Sequence, residues 1–143
     1  MVVSTKGRYA LRVMIDLAEH SNAERTPLKE IVERQEISQK YIEAIMTLLS
    51  KNGFVDAAHG KGGGYKLNRK PEEYKVGEIL RLTEGSLAPV ACLQEGAAAC
   101  PRRTVCSTLS MWKKLDRLIE GYLDGVTLAD LMKDDVSDRG MYI

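Results

Sequence analysis

Residues 26–53 read TPLKEIVERQEISQKYIEAIMTLLSKNG. Two helical patterns lie in this stretch with a tight link between them. Thr26 as N-cap and Pro27 at the first helical position start one, with Glu30 in its first turns. Leu28, Ile31 and Val32 form its inward face. Gln35-Glu36 makes the link to Ile37-Ser38. Ser38 caps the next helix, in which Tyr41, Ile42, Ile45, Leu48 and Leu49 are apolar. Lys51-Asn52-Gly53 stops it, Asn-Gly supplying the left-handed residue that a helix C-terminus favours. Upstream, Ser4 caps a first helix whose buried stripe is Tyr9, Ala10, Val13, Met14, Leu17 and Ala18, ending at His20-Ser21-Asn22.

Two short helices, a turn of about three residues and a helix opened by polar residues form a helix-turn-helix pattern. Gln39, Lys40 and Glu43 project from its last helix with the hydrogen-bonding ends needed to read base edges in a major groove. Lys6, Arg8 and Arg12 lie off the stripe of the first helix and are candidates for phosphate contact. Phe54–Ala57 then reads as a strand and Tyr65–Leu67 as its partner, with His59-Gly60-Lys61-Gly62-Gly63-Gly64 between them. A hairpin placed directly after a helix-turn-helix is a wing. Its glycines let backbone approach a phosphate or a minor groove, and His59 and Lys61 supply polar or positive tips. A nucleotide-binding phosphate loop is excluded, because Gly-Lys-Ser/Thr leading into a helix is missing.

Residues 1–70 hold twelve Lys/Arg against eight Asp/Glu, and residues 71–143 hold nine against twelve. A basic front half suits a nucleic-acid-binding head, and the rest an arm that does not bind. The expected division is therefore a head over 1–70, an arm over 71–133 and a tail over 134–143. The fold class expected is mainly α with a small β-hairpin wing. No apolar run approaches the roughly 20 residues that span a bilayer. The start, MVVSTKGRYALRVM, lacks the apolar core of a signal peptide, so the expectation is a cytoplasmic protein without membrane association.

In the arm, Pro71 breaks the chain, and Val76, Ile79, Leu80 and Leu82 predict a helix from Lys75 to Thr83, ended by Glu84-Gly85-Ser86. An irregular loop follows from Leu87 to near Thr104. Thr104 caps a long helix with apolar residues at Val105, Leu109, Trp112, Leu115, Ile119 and Tyr122, a heptad-like seam over about five turns. One apolar stripe beside one charged side calls for a partner surface, read as a second copy of the chain. Thr127 caps a short closing helix, Leu128–Met132.

Cys92, Cys100 and Cys106 are spaced C-x7-C-x5-C in mostly irregular, Ala-rich chain that also carries Arg102 and Arg103. This is a poor place for core packing. Cys106, in the first turn of the long helix, has its thiol pKa lowered by the helix N-terminus, which favours metal binding or redox chemistry. Three thiolates suit an iron–sulfur cluster or zinc with a fourth ligand still required, and the spacing equally admits a redox disulfide. A structural zinc site without sensing is one rival. A thiol redox enzyme using Cys106 is another, opposed by the lack of C-x-x-C and of a base beside a nucleophile.

Taken together these residues resemble a bacterial winged-helix regulator family that contains the iron–sulfur regulator IscR, the nitric-oxide sensor NsrR and the cysteine-metabolism repressor CymR. The likeness rests on Ser4-Thr5-Lys6-Gly7-Arg8-Tyr9-Ala10, Ile37-Ser38-x-x-Tyr41-Ile42-Glu43, Lys51-Asn52-Gly53-Phe54-Val55 and Gly60-x-Gly62-Gly63-Gly64-Tyr65. Val76-Gly77-Glu78-Ile79, the cysteine trio, Trp112 and Thr127-Leu128-Ala129-Asp130-Leu131 complete it. The resemblance implies a homodimeric repressor or activator, not an enzyme. It would bind double-stranded, pseudo-palindromic operator DNA, and its long helices would cross to form the dimer. Ser38, Tyr41 and Glu43 fall where the family touches DNA, and His59 and Gly60 at its wing. Cys92, Cys100 and Cys106 match its three cysteine ligands for a cluster, usually 2Fe-2S. IscR-like proteins place a histidine three residues after the third cysteine, where this chain has Leu109. NsrR-like proteins use an acidic residue of the partner's first helix, where this chain has Arg8. The fourth ligand is thus unassigned, with Glu95, His20, His59, a backbone group, water or an external thiol as candidates. The CymR-like branch lacks the cysteines but shares an apolar C-terminal tip, here Met141-Tyr142-Ile143. Such a tip fits capture by a partner enzyme's pocket, as in a cysteine-metabolism repressor controlled by an enzyme.

Overall fold

The computed structural model describes residues 2–20 and 24–133. Six helices and one hairpin follow in the order α1 (Thr5–Glu19), α2 (Leu28–Gln35), α3 (Gln39–Lys51), β1 (Val55–Ala58), β2 (Gly64–Leu67), α4 (Val76–Glu84), α5 (Leu109–Asp124) and α6 (Leu128–Met132). Short 3-10 turns sit at Pro71–Glu73 and Ala91–Leu93. The fold class is as the sequence implies, mainly helical with a two-stranded antiparallel hairpin. The tail tip Met141–Ile143 lies outside the described residues, as does part of the turn after His20. Among the described residues, no helix is long and apolar enough to cross a membrane.

Local signals explain most boundaries. Ser4 accepts from the Gly7 N–H at 3.0 Å and Ser38 from the Tyr41 N–H at 3.3 Å, starting α1 and α3. Thr127 and Asp130 form a reciprocal capping box at α6. Glu36 ends α2 with a left-handed φ of 54°, which turns the chain sharply toward α3.

The start of α2 is a correction. Pro27, not Thr26, is its N-cap, and Thr26 makes no side-chain cap. Thr26 instead pairs with Tyr65: its N–H donates to the Tyr65 carbonyl at 2.8 Å and its carbonyl accepts from the Tyr65 N–H at 2.9 Å. With both backbone groups committed to the hairpin edge, Thr26 belongs to the wing.

Most of the core is one large cluster. Ala10, Val13, Met14 and Leu17 of α1 meet Ile31 of α2, Ile42, Ile45, Met46 and Leu49 of α3, and Val55 of β1. Tyr74, Ile79 and Leu128 close it from the other side. Tyr74 is fully buried. Its hydroxyl donates to the Phe54 carbonyl at 2.7 Å and accepts from the Asn68 N–H at 3.0 Å, tying both ends of the hairpin to the core. Tyr74→Phe should therefore lower unfolding free energy by about 1–3 kcal/mol, read from urea titrations, because both partners stay behind without a bond. A smaller cluster, Val76, Leu80, Leu87 and Val126, receives Ile119, Tyr122 and Leu123 of α5. The Arg81–Asp124 pair, with contacts at 2.9 and 2.8 Å, locks α4 to α5.

The long helix is the second correction. It begins at Leu109, not near Thr104, with Thr108 as its N-cap, so Cys106 precedes the helix instead of lying in its first turn. Residues 100–105 are drawn into successive tight turns, Arg103 N–H to the Cys100 carbonyl at 3.0 Å and Val105 N–H to the Arg102 carbonyl at 2.9 Å. The seam also divides. Ile119 and Tyr122 pack on their own chain, while Leu115 stays exposed with Met111 and Leu118 at 37%, 54% and 47%. Residues three and four apart lie on one side of a helix, so the heptad count finds the stripe but not which of its residues meet their own chain.

Candidate nucleic-acid interface and cysteine pocket

The outer side of α3 carries Gln39, Lys40, Tyr41, Glu43, Ala44 and Thr47, all exposed. Gln39 Nε2 donates to Glu43 Oε1 at 3.2 Å, which orients the acidic group along the helix. Tyr41 meets Tyr9 edge-on, ring centroids 5.4 Å apart, and the Arg12 guanidinium lies over Tyr9 at 5.1 Å. Two concavities flank this ridge. One, of about 480 Å³, lies between α3 and the wing and brings Glu43 and Thr47 together with His59, Gly60 and Tyr65. The other, of about 350 Å³ and almost wholly apolar, brings Lys6 of α1 to Ser38, Lys40, Tyr41 and Ala44.

The residues singled out from sequence thus separate into two sets. Glu43, His59 and Gly60 share the wing groove, and Lys6, Ser38, Lys40 and Tyr41 share the second concavity. Arg8, Gln39 and Lys61 line neither. Arg8 is exposed on α1 and donates to Thr5 Oγ1 at 3.2 Å, and Lys61 stands at the exposed hairpin tip. Arg12 is exposed and bonds across to Gln35 Oε1 at 3.1 Å and to the Gln35 carbonyl, so it braces the end of α2 against α1. Ala44 and Thr47 were missed. Their spacing of four from Lys40 and Glu43 places them on the same face, which a helical projection reveals.

A buried carboxylate holds the turn between α2 and α3 against α1. Asp16 accepts from Arg34 Nη2 at 2.8 Å, Arg34 Nε at 3.0 Å and Gln35 Nε2 at 2.8 Å. Burial works against its charge, but the bonds from Arg34 and Gln35 and the charges of Arg34 and His20 outweigh it and hold the carboxyl below its usual range.

The cysteines gather elsewhere. Cys92, Cys100 and Cys106 line one pocket of about 240 Å³ with Arg103, Leu109 and Lys113. Cys92 and Cys100 are exposed and Cys106 is half-buried. Cys106 Sγ lies 3.4 Å from Thr108 Oγ1. That hydroxyl and the Thr108 and Leu109 N–H groups at the start of α5 lower its thiol pKa, aided by the Arg102 charge. Among the described residues, no three His, Cys, Asp or Glu side chains are gathered as a metal site. His20 bonds the Asp16 carbonyl at 2.8 Å and His59 lines the wing groove, so neither joins the cysteines of its own chain, contrary to the candidacy the sequence allowed. Leu109 places a side chain without a donor at the pocket wall.

Comparison with known proteins decides the family. The model of the Rrf2 family, described as an iron-dependent transcriptional regulator, matches residues 3–134. The chain belongs to the Rrf2 family. It is 39% identical over 143 aligned positions to the HTH-type transcriptional regulator IscR of Aliivibrio salmonicida, covering 97% of this chain and 84% of that one. It is 37% identical to protein rrf2 of Nitratidesulfovibrio vulgaris, covering 94% and 89%. Among solved structures, T. potens IscR superposes with a TM-score of 0.72 at 37% identity over 99% of this chain and 92% of that one. CymR, the global cysteine regulator of B. subtilis, does so with 0.75 at 32% over 94% and 98%. The Rrf2 chain is therefore a winged-helix, DNA-binding transcription regulator, and not an enzyme.

Proposed function

We propose that this Rrf2-family regulator binds operator DNA as a cytoplasmic homodimer, and that the thiols of Cys92, Cys100 and Cys106, as ligands of an iron–sulfur cluster of the 2Fe-2S type, control that binding. The observation that carries the control is that three cysteines spread along irregular chain line a single pocket at the start of α5. Soft, accessible donors, one of them biased toward thiolate, fit a cluster chemically, and Arg103 and Lys113 offset the resulting negative charge. The fourth ligand comes from outside this set.

Within the DNA-binding head, residues 1–70, α3 would enter the major groove, with Gln39, Lys40 and Glu43 at base edges. Lys6, Arg8, Ser38 and Tyr41 would contact the backbone on one side, and His59, Gly60 and Lys61 of the wing on the other. The exposed Met111, Leu115 and Leu118 of α5 would face the second copy, setting two half-sites about one helical turn, or a multiple of it, apart. A bound cluster supplies a redox-responsive centre. The chain's part is to hold three thiolates beside the helix that joins the copies, so that two loop states have different DNA affinities.

Protein purified without oxygen should be brown and contain iron and acid-labile sulfide in equal amounts, with both lost in Cys92→Ala. A protein that stays colourless after reconstitution, or that holds only zinc, would remove the cluster from this reading. The DNA surface is tested separately. Tyr41→Ala should weaken operator binding about tenfold without changing the dimer mass. Lys61→Ala should reduce the slope of log affinity against log salt by about one. Unchanged affinity and slope in both would show that the DNA surface is misassigned.

A further inference from the structure

The first turn of α1 is held by a residue from the far end of the fold. Glu84, the last residue of α4, accepts from both the backbone N–H and the side-chain hydroxyl of Ser4. The same hydroxyl accepts from the Gly7 N–H at 3.0 Å, so one serine caps α1 and ties it to α4 at once. The two ends lie close. A Cβ on Gly7 would stand 3.0 Å from Thr83 Oγ1 and 3.3 Å from Glu84 Cδ. Burial disfavours the Glu84 charge, but the two bonds from Ser4, one from Thr83 and the nearby Lys6 charge outweigh it, so the group stays an acceptor.

Two features give this contact a direction. Lys6 lines the concavity beside Ser4 and Glu84, and it also lines the apolar concavity beside Tyr41 and Lys40 on the outer face of α3. The residue after Glu84 is Gly85, at φ +80°, where the chain leaves α4 for the segment that carries all three cysteines. The far end of that segment returns through α5 to the same helix, by the Arg81–Asp124 pair. The cysteine segment is thus joined to the last turn of α4 both directly, through Gly85, and by way of α5, and the last turn of α4 holds the first turn of α1.

We propose that Glu84 is a positioning residue for DNA binding. Through Ser4 it fixes where Lys6 stands beside α3, and it thereby couples the cysteine segment to the DNA face. The proposal rests on the DNA-binding reading of α3 and Lys6 given above.

A double-mutant cycle on full-length protein tests it. Operator binding by fluorescence anisotropy is compared for the parent, Glu84→Gln, Lys6→Ala and the double variant, with thermal melts and dimer mass as controls. Glu84→Gln should weaken binding about fivefold in the parent and less than about twofold in the Lys6→Ala background, since Glu84 acts through Lys6. Equal losses in both backgrounds would mean that Glu84 only supports the fold, and would overturn the proposal. If Lys6→Ala has no effect while Tyr41→Ala does, the proposal falls and the DNA surface stands. If neither has an effect, both fall.

Coupling to the cysteines is read without any cluster. Because coupling is reciprocal, saturating operator DNA should change the rate of iodoacetamide alkylation at Cys106 in the reduced, metal-free parent by about threefold or more. The change should vanish in Glu84→Gln. A parent rate indifferent to DNA, or a variant that keeps the parent's change, would refute the link.

Discussion

Arg34→Ala should lower the free energy of unfolding by about 3 kcal/mol, because it leaves a buried carboxylate without its counter-charge. The Asp16 side chain is 1% exposed and that of Arg34 29%. Asp16 receives two bonds through the forked guanidinium and one from Gln35, and all three vanish or weaken when Arg34 is shortened. Asp16 cannot move out to water, since it lies on α1 between core positions Val13, Met14 and Leu17. Replacing both partners by apolar residues, as in Asp16→Leu with Arg34→Met, should cost less than Arg34→Ala alone, because no buried charge is stranded. The pH dependence has a fixed sign. Asp16 has a folded pKa below its ordinary value. Its contribution is therefore present above the unfolded pKa near 4 and is lost as pH falls through the lower folded value. Urea unfolding of parent and variant should differ most near pH 7, and the gap should shrink progressively as pH falls below about 4. A gap that persists undiminished at pH 3 would locate the loss elsewhere than in the ion pair. Operator affinity should fall as well, since Arg34 and Gln35 end α2 and the turn they anchor aims α3.

What the sequence disclosed and what it hid follow from the range of the interactions involved. Ser4, Ser38 and Thr127 could be read as caps because each satisfies an N–H three residues away. The closing helix and the stripe of α1 were legible for the same reason. Thr26 was misread because its local signature, Thr before Pro, is that of a cap, while its partner Tyr65 lies on a strand far along the chain. Asp16 gave a weak sign, a carboxylate within an apolar stripe, but nothing nearby named Arg34. The cysteine residues were visible individually. That they line one pocket depends on how turns at 91–93 and 100–105 fold the chain back, and irregular backbone has no period to read. In the candidate DNA face the polar positions of α3 were legible from spacing. The Glu84–Ser4 contact was not, because helix ends eighty residues apart meet only through packing of α4 on α1.

Gly64→Ala should cost about 3 kcal/mol and should separate the wing from α2. Gly64 has φ +131°, a region that L side chains rarely adopt. A Cβ there would lie 2.3 Å from the Thr26 oxygen, 2.6 Å from the Thr26 carbonyl carbon and 2.9 Å from the Pro27 nitrogen. All three are backbone atoms, so no side chain can swing aside, and the strands must part. The parting falls on the Thr26–Tyr65 bridge, whose two bonds of 2.8 and 2.9 Å are what fixes the hairpin against the start of α2. Hydrogen exchange should then accelerate at the Thr26 and Tyr65 amides. Exchange as slow as in the parent at both would show that the bridge survives and that the steric argument fails. Gly62→Ala provides the comparison. At φ +79° with nothing within 4 Å, it has the backbone strain without the collision, and should cost about 1–2 kcal/mol while leaving the bridge intact. The two variants also separate the wing's position from its flexibility. The groove of Glu43, Thr47, His59 and Gly60 depends on where the hairpin stands relative to α3. Gly64→Ala should therefore weaken operator binding about tenfold or more, even at temperatures where the protein stays folded. Gly62→Ala, which stiffens the tip without moving its base, should weaken it far less. Comparable losses in the two would mean that the wing works by its flexible tip, and that the bridge to Thr26 serves stability alone.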